Sequence, residues 1–500
     1  MTTLCFALQD SSERGLQEQL REGLLEAIRV GSLPTDAPLP SCRKLSRRLG
    51  ISRNTVAIVY EKLVDDGFLV SRPRSGYYLH ADYRKEGSPL VDKAVDRAAP
   101  AWQNIGARTT DPAPSWRSRL ARHPSKYQGV LKPSNWTDYP YPFIYGQPGT
   151  DDFPIAAWRE ISRRRLEGKR DRDWLRDRID QDDALLIEQI RKRLLPRRGI
   201  LAQPDEILVT LGSQNALFLL AQLLFKAGTR VGLENPGYRE AVNVFQFFGG
   251  SLVPHNVDSQ GIELTRASTQ CDYLYVMPSH QVPTGITMSR GRRDALMAQA
   301  VAHDQVIIED DYDAELHNDH EALPALKASR AGTRVIYLGS FSKVLSPGLR
   351  MGYLVADAEL IEELRALRRL MYRHPPANLQ HQMAQLIAQG YYETYLRSHV
   401  EDTDRRRETL LAAINTYLPQ SRCHSADRAS AFWLEMPAGT DTQQLAWMAA
   451  QRGVLIEPGF QHFQDTAPPR HFFRLGFNAI ERGHIVPGIE RLASVMHSAD

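Results

Sequence analysis

The sequence has few cysteines and no long apolar run, and each absence excludes a class of protein. The four cysteines among 500 residues lie far apart, without metal-ligand spacing or a disulfide framework, so we expect a reducing compartment. They are Cys5, Cys42, Cys271 and Cys423. The most apolar stretch, ALFLLAQLLF at 216–225, is about half a membrane span. The first residues contain neither a basic leader nor an apolar run of signal-peptide length. We therefore predict a cytoplasmic protein that does not enter membranes.

The sequence also lacks a strong charge imbalance. Its net charge is +3 at pH 7, and its 42% hydrophobic and 24% charged residues are typical of soluble globular proteins. Binding to nucleic acid would therefore depend on a local basic patch rather than on the overall charge. The length exceeds that of one domain, so we expect at least two.

Three zones differ in their hydrophobic pattern. Residues 1–80 carry helical signals, whereas residues 81–136 lose periodicity and gain proline, alanine and charge, which is typical of a linker. Residues 137–500 alternate amphipathic helices with short apolar strands: EILVTL, RVGLE, YLYVM, VIIEDD, RVIYLGS and GYLVA. This alternation predicts an α/β/α domain, a parallel sheet with helices on both faces. The charged run at 163–183 predicts a solvated segment, to which we assign no function.

The first zone has the pattern of a winged helix-turn-helix domain. A first helix is predicted by apolar residues at every fourth position, Leu16, Leu20, Leu24 and Ile28. Ser41 and Ser52 are the predicted N-caps of two further short helices, separated by Gly50. The expected buried face of the last helix is formed by Val56, Val59, Tyr60 and Leu63. FLVS and GYYL, joined by RPRSG, predict a two-stranded wing, so this domain is mostly α with a β wing.

A basic patch coincides with this motif. Five basic residues and no acidic one lie between Ser41 and Asn54. The first turn of the last helix, Arg53, Asn54 and Thr55, would meet base edges in the major groove. Phosphate or minor-groove contacts are expected of three further arginines, Arg43, Arg72 and Arg74. The alternative interpretation is a small helical dimerisation module with a solvated basic face.

Residues 14–80 resemble the GntR family of winged-helix DNA-binding domains. The resemblance rests on LPSCRKLSRRLGISRNTV, followed by YEKLVDDGFL and RPRSG. It implies that this zone binds double-stranded operator DNA through Arg43, Arg53, Asn54 and Thr55. The wing tip departs from the usual Gly-Ser-Gly and reads Arg74-Ser75-Gly76.

The last zone contains a lysine at the end of a predicted strand, in GSFSKVLSPGLR. Lys343 in this stretch can attack an aldehyde, and pyridoxal phosphate (PLP) is the common protein-bound aldehyde. A phosphate site is predicted from a turn that opens a helix, together with hydroxyls and a guanidinium. Its residues are Gly212, Ser213, Gln214, Ser340, Ser342 and Arg350. Asp310 ends a strand and suits the pyridine nitrogen, while Tyr238 could stack on the ring and Tyr312 could reach its phenolic oxygen. Each motif alone also fits a purely structural role.

Residues 137–500 resemble the fold type I aminotransferases. The resemblance implies that Lys343 forms the imine, that Asp310 holds the pyridinium, and that Arg474 in FFRLGFN grips an effector carboxylate. Where these enzymes have Asn-Pro-x-Asn-Pro-Thr-Gly, this chain has PSHQVPTG, so His280 or Gln281 would have to replace the asparagine. No metal site is expected.

The whole chain resembles the MocR subfamily of GntR-type regulators. The phrases PSHQVPTG, IIEDDYDAEL and SFSKVLSPGLRMGYLV carry this likeness. It implies a transcription regulator rather than an enzyme, in which an amine or amino-acid effector forms an external aldimine in place of Lys343. It further implies a head-to-tail homodimer that reads two half-sites. The alternatives are an active PLP-dependent aminotransferase with secondary DNA binding, and a regulator that senses PLP itself.

Overall fold

The chain divides into two compact units, residues 1–121 and 122–500. A computed structural model describes residues 15–29, 33–34, 37–73, 75–83, 115–130, 132–144, 148–149, 152–167, 175–313, 323–425 and 430–497. Within these ranges, no helix combines the length and apolar character needed to cross a membrane.

The described residues of the first unit form a winged domain with three helices and, beyond it, a short fourth helix. Its helices are α1 (Leu16–Arg29), α2 (Cys42–Leu49), α3 (Arg53–Asp65) and, further along the chain, the short α4 (Trp116–Arg119). The wing pairs β1 (Leu69–Arg72) with β2 (Gly76–Leu79) in antiparallel register. Of the apolar stripe predicted for α1, Leu20 and Leu24 are fully buried, while Leu16 is 41% exposed. The winged helix-turn-helix prediction is confirmed.

The second unit is built on a large mixed sheet. Its strands are β4 (Ile207–Thr210), β5 (Arg230–Asn235), β6 (Ser251–Asp258), β7 (Gly261–Ile262), β8 (Tyr273–Val276), β9 (Val306–Asp311), β10 (Val335–Ser340) and β11 (Gly352–Val355). Among the described residues the spatial order is β4-β11-β10-β9-β8-β5-β6-β7. The five strands from β10 to β6 are parallel; four of them were predicted, and β6 was not. β11, predicted as one more parallel strand, instead runs antiparallel to both neighbours.

Helices cover both faces of this sheet. They are α5 (Ile155–Glu167), α6 (Ala184–Gln189), α7 (Ser213–Leu224), α8 (Arg239–Phe247), α9 (Arg290–Ala302), α10 (Ala358–Tyr372), α11 (Ala377–Ala388) and α12 (Tyr391–Tyr417). Side chains alternate between the two layers, so Val209 and Tyr337 join one apolar cluster while Leu208 and Leu338 join another. All but the last residue of the apolar stretch at 216–225 belong to α7, which packs in the core of the domain.

A smaller subdomain completes the unit. It contains α13 (Thr442–Gln451) and α14 (Arg482–His497), and an antiparallel sheet in the order β12 (Arg422–Cys423), β13 (Ala431–Glu435), β16 (Phe472–Gly476), β15 (Glu457–Pro458). A separate parallel pair joins β3 (Tyr141–Pro142) to β14 (Val454–Leu455). The register between β15 and β16 places Glu457 directly opposite Arg474.

Residues 122–136, the last part of the segment predicted as a linker, belong to the second unit. The structural division falls between residues 121 and 122, not at 137. Tyr127 packs edge-on against Phe247 with ring centroids 5.8 Å apart, and Asn243 donates a hydrogen bond of 3.0 Å to the Gln128 carbonyl. Since these residues lack periodicity, the sequence pattern did not reveal that they attach to the second unit.

The charged run at 163–183 is not solvated throughout. The side chain of Asp182 is buried beside two arginines of α10, with its carboxylate 2.6 Å from Arg368 Nη1 and 2.8 Å from Arg365 Nη1. Asp183 is also buried and caps α6 through the Leu185 and Leu186 backbone amides. A dense run of charges is usually exposed to solvent, but a charged side chain can be buried when an oppositely charged partner neutralises it. The partners of Asp182 lie about 185 residues further along the chain, so the local sequence does not reveal them.

Candidate functional site

The helix-turn-helix motif, formed by α2 and α3, is held in place by its N-caps and by the buried face of α3. Ser41 and Ser52 cap α2 and α3, accepting hydrogen bonds from backbone amides at 3.3 Å and 3.0 Å. Gly50 ends α2 in the left-handed conformation, with φ of 70°. The predicted buried face of α3 is confirmed, since Val56, Val59, Tyr60 and Leu63 are all buried. The opposite face of α3 is therefore available for a partner.

Most of the predicted DNA-contact residues are exposed to solvent, on α2, α3 and the wing. Arg43, Arg53 and Asn54 are exposed at the starts of α2 and α3. Thr55 is half-buried, and its hydroxyl lies 2.8 Å from the Ser52 hydroxyl, so it also supports the cap. Arg72 places its guanidinium over the Tyr78 ring, 4.5 Å from the centroid. The sixth predicted contact, Arg74, lies outside the described residues.

A cavity of about 540 Å³ lies at the carboxyl ends of the parallel strands in the second unit. Ten of the predicted cofactor and effector residues line it: Ser213, Gln214, Tyr238, Asp310, Tyr312, Ser340, Ser342, Lys343, Arg350 and Arg474. The strand ends bring together residues that are separated by as many as 261 positions.

Lys343 follows β10 and lies inside this cavity, with its Nζ 5.5 Å from the centroid of the Tyr312 ring. Burial, reinforced by the nearby Arg474 charge, lowers the pKa of Lys343 to about 8. A substantial fraction of this amine is therefore neutral near physiological pH, and the neutral form is the nucleophile.

The predicted phosphate site is compact. Gly212 precedes α7 with φ of 83°, and a side chain there would meet Arg350 Nη2 at 3.1 Å and Ser342 Oγ at 3.6 Å. Arg350 is held by a 3.1 Å hydrogen bond from its Nη2 to the Leu211 carbonyl. A helix N-terminus, a hydroxyl and a guanidinium therefore converge, which is the donor set that a phosphate dianion requires.

Asp310 has the geometry expected of a partner for a pyridinium nitrogen. Its Oδ2 accepts a 2.7 Å hydrogen bond from the Tyr275 hydroxyl, whereas its buried Oδ1 has no hydrogen-bond partner within the described part of the chain. Burial raises the pKa of Asp310 to about 7, and the negative charges of Asp311 and Asp313 act in the same direction. A buried carboxylate oxygen left unsatisfied in a cavity wall fits a protonated ring nitrogen, so these residues fit PLP.

The structure does not bring His280 and Gln281 to the cavity wall. The Gln281 amide holds its own loop, donating to the Pro236 carbonyl at 2.7 Å and accepting from the Thr284 hydroxyl at 2.6 Å. His280 is buried, and its Nδ1 lies 3.0 Å from Asp313. Among residues 277–284, the cavity lining consists of Met277 and Val282, which are apolar. We therefore expect Tyr312 to make the contact with the phenolic oxygen.

Three charged or titratable residues that line the same cavity as Arg474 were missed by the sequence interpretation. Glu457 accepts from Arg474 Nη1 at 3.4 Å, and its same oxygen lies 2.8 Å from His462 Nε2. Lys132 also lines the cavity, from the segment predicted as linker. A single glutamate in the apolar stretch VLIEPGF was the available signal for Glu457, whereas Lys132 has no distinguishing pattern.

Comparison with known proteins supports both parts of this architecture. The family model for aminotransferase class I and II matches residues 151–483, and that for bacterial regulatory proteins of the gntR family matches residues 16–79. An archaeal alanine:glyoxylate aminotransferase has the same fold, with a TM-score of 0.70 at 24% identity, over 77% of this chain and 100% of that one. The aminotransferase LysN from Thermus thermophilus matches with a TM-score of 0.68 at 26% identity, over 77% and 99%. The fold and its sites thus define a DNA-binding domain joined to a fold type I aminotransferase-like domain.

Relatives with this combination match over almost the whole chain. The HTH-type transcriptional regulator TauR of Rhodobacter capsulatus is 37% identical over 494 residues, 98% of both chains. The probable rhizopine catabolism regulatory protein MocR of Rhizobium meliloti is 30% identical over 505 residues, 98% of this chain and 95% of that one. The chain belongs to this family of GntR-type transcriptional regulators with an aminotransferase class I and II domain. These full-length relatives are named as regulators, not as enzymes.

Proposed function

We propose that this regulator binds PLP and senses an amine or amino-acid effector in its second unit, and that effector binding changes its affinity for operator DNA. The observation that carries the proposal is that Lys343 and Arg474 line one cavity, with the unsatisfied Asp310 oxygen in the same wall. A nucleophilic amine, an anchor for a ring nitrogen and an anion-binding arginine are the groups that such a sensor needs.

Each group has a distinct task. When bound, PLP supplies an aldehyde that reacts reversibly with amines. Lys343 provides the resident amine, and Asp310 would hold a proton at the ring nitrogen. Ser342 and Arg350 would bind the phosphate, Tyr238 would stack on the ring, and Arg474 would orient the acidic group of the effector.

The first unit would couple effector binding to transcription through a change in its affinity for operator DNA. In the proposed cytoplasmic homodimer, two copies of α3 read two half-sites, with Arg53 and Asn54 at base edges. An effector that binds one arrangement of the dimer more tightly shifts the population toward that arrangement. The size of the shift is set by the difference between the effector's affinities for the two arrangements.

The test uses the full-length holoprotein. DNA duplexes that it binds are first selected from a random-sequence pool. PLP absorbance and DNA affinity are then measured with the twenty protein amino acids and β-alanine, with and without a keto acid. We expect a single saturable change in absorbance that coincides with a change in DNA affinity.

Two variants make the result specific. Lys343→Ala should abolish both responses, while Lys192→Ala, at an exposed lysine on the same unit, should keep them. Sustained amino-group transfer would favour an enzyme instead. DNA affinity that follows PLP alone, with no response to amines, would favour a PLP sensor.

A further inference from the structure

A second cavity of about 560 Å³ lies in the second unit, and its volume is typical of small-molecule sites. Among the described residues, it shares no lining residue with the cavity that contains Lys343, here named the first cavity. One side is formed by the large sheet, through the end of β5 and through β6, and the other by β12, β13 and β16 of the subdomain. The second cavity therefore has a wall chemistry of its own.

An aromatic wall lines this second cavity. It consists of Trp433, Phe463 and Phe472. The Trp433 and Phe472 rings are almost parallel, with centroids 5.4 Å apart, and Phe463 is tilted against them at 6.2 Å and 5.9 Å. Both phenylalanines are only half-buried, so part of each side chain is open to a ligand. Such rings can stack on, or pack edge-on against, a planar aromatic compound.

A guanidinium lies at the same cavity. Arg422 of β12 lines it and is exposed. The acidic lining residue Asp258 is bound by Arg292, with Oδ2 2.7 Å from Nη2. Glu435 is opposite Arg422 in the strand pair, but its Oε2 lies 2.6 Å from His424 Nε2. Because both carboxylates have these other partners, the Arg422 guanidinium can bind the acidic group of a ligand.

Three short segments separate the two cavities, because each supplies one lining residue to either of them. The residues of the first and the second cavity are, in turn, Tyr238 and Pro236, Val282 and Thr284, and His462 and Phe463. Hydrogen bonds join the segments: the Gln281 amide donates to the Pro236 carbonyl at 2.7 Å, and the Gly237 amide donates to the His462 carbonyl at 3.0 Å. A ligand that displaces these segments in one cavity therefore changes the shape of the other.

Trp433 provides another connection between the cavities. It is paired with Arg474 in the register of β13 and β16, and its ring packs edge-on against His462 with centroids 6.0 Å apart. His462 Nε2 in turn lies 2.8 Å from Glu457. Since Arg474, His462 and Glu457 all line the first cavity, a ligand against Trp433 contacts a direct neighbour of that cavity's wall.

We infer that the second cavity binds a planar aromatic compound with an acidic group, whose ring packs against Phe463 and Phe472 and whose acidic group binds Arg422. We further infer that this binding changes the affinity of the first cavity for PLP. The site itself goes beyond the proposed function, because a compound without an amino group does not react at the cofactor. The change in PLP affinity rests on the proposed function.

The probe for this site is 2-naphthoate, an aromatic acid without an amino group. Isothermal titration calorimetry on the full-length protein measures its affinity and those of two analogues, the neutral 2-naphthamide and the saturated decalin-2-carboxylate. We expect each analogue to bind about fivefold to tenfold more weakly, since the first lacks the charge for Arg422 and the second lacks the flat ring. No saturable binding of 2-naphthoate, or equal affinities for the three compounds, would overturn the site.

Two variants locate the bound compound. Arg422→Gln should weaken 2-naphthoate binding about tenfold and leave 2-naphthamide unchanged. Phe463→Leu keeps an apolar side chain but should remove most of the preference for 2-naphthoate over decalin-2-carboxylate. The matched controls, Arg470→Gln and Phe218→Leu, lie outside the lining of both cavities and should bind like the wild type. An unchanged preference in either test variant would overturn the contact assigned to its residue.

Equilibrium dialysis of PLP, with and without saturating 2-naphthoate, measures the coupling. We expect about a fivefold change in PLP affinity, and an equal change in 2-naphthoate affinity when PLP is bound, because coupling between two sites is reciprocal. Equal PLP affinities in both dialyses would overturn the coupling. Complete mutual exclusion would mean that 2-naphthoate enters the first cavity instead. A protein that binds 2-naphthoate but no PLP would refute the proposed function and the coupling, and would leave the aromatic-acid site standing.

Discussion

Glu457 and Arg474 are paired residues of adjacent antiparallel strands whose side chains meet at the wall of the cavity that contains Lys343, with Arg474 Nη1 3.4 Å from Glu457 Oε1. Although burial alone would raise it, the pKa of Glu457 is lowered to about 2 by Arg474 and His462. The carboxylate is therefore ionised at physiological pH. An anion that entered the cavity would meet an arginine that is already partly neutralised, so we expect this pair to set how strongly the proposed acidic effector is held.

Glu457→Gln should strengthen the binding of β-alanine to the holoprotein about tenfold, because the change removes a competing charge while keeping the shape. Absorbance titration measures the effect. Glu435→Gln is the control, since Glu435 pairs with His424 and does not line the cavity. Weaker binding in Glu457→Gln would show that Glu457 contacts the ligand itself.

The rate of PLP attachment to the apoprotein should rise with pH through about 8. Below this value Lys343 is mostly protonated and cannot attack the aldehyde; above it, the neutral amine dominates. Because Arg474 contributes to the lowered pKa of Lys343, Arg474→Gln should move the profile to higher pH. Stopped-flow absorbance gives the rates. Arg470→Gln, at an exposed arginine paired with Asp441, should leave the profile in place. A wild-type profile centred near pH 10 would mean that the amine of Lys343 is solvated and that its pKa is not lowered.

Asp310→Asn should weaken PLP binding about tenfold or more, since the asparagine cannot supply the charge that holds a protonated ring nitrogen. Tyr275→Phe should have a smaller effect in the same direction, because it removes only the 2.7 Å hydrogen bond that orients the carboxylate. Equilibrium dialysis gives both constants. Tyr273→Phe, on the same strand but outside the cavity lining, is the matched variant. Equal affinities for wild type and Asp310→Asn would remove Asp310 from the cofactor site.

Arg53→Ala should weaken binding to the selected DNA by about 1–3 kcal/mol without changing the PLP absorbance. Arg53 is exposed in the first turn of α3, where side chains reach base edges. Lys62→Ala, at an exposed lysine near the other end of α3, should have little effect. Fluorescence anisotropy at fixed salt measures both variants. If Lys62→Ala were the more damaging change, the recognition surface would lie at the C-terminal end of α3.

Asp182→Asn should lower the free energy of unfolding by about 3–5 kcal/mol, because it leaves two arginines facing a neutral partner in a buried site. Arg368 is fully buried beside this carboxylate. Urea unfolding followed by circular dichroism measures the loss, and Asp205→Asn, at an exposed aspartate, should cost little. A loss below about 1 kcal/mol would mean that water reaches this pair.

Much of the fold could be predicted from the sequence because it depends on interactions between residues that are close together in the chain. The caps at Ser41 and Ser52, the turn at Gly50 and the buried face of α3 depend on residues within a few positions of each other. The cavity follows from a similar regularity: parallel strands end at one edge of a sheet, so Asp310 and Lys343, each at a strand end, had to come together.

By itself, then, the sequence determined the two folds, the capped helix α3 with its buried face, and the residues at the strand ends. Only the tertiary structure decided that Glu457 faces Arg474, that Lys132 reaches the cavity, and that the Asp182 side chain is buried. These relationships join residues far apart in the chain, and strand register and the path of an aperiodic segment are set by packing against the whole core. No short stretch of sequence carries that information.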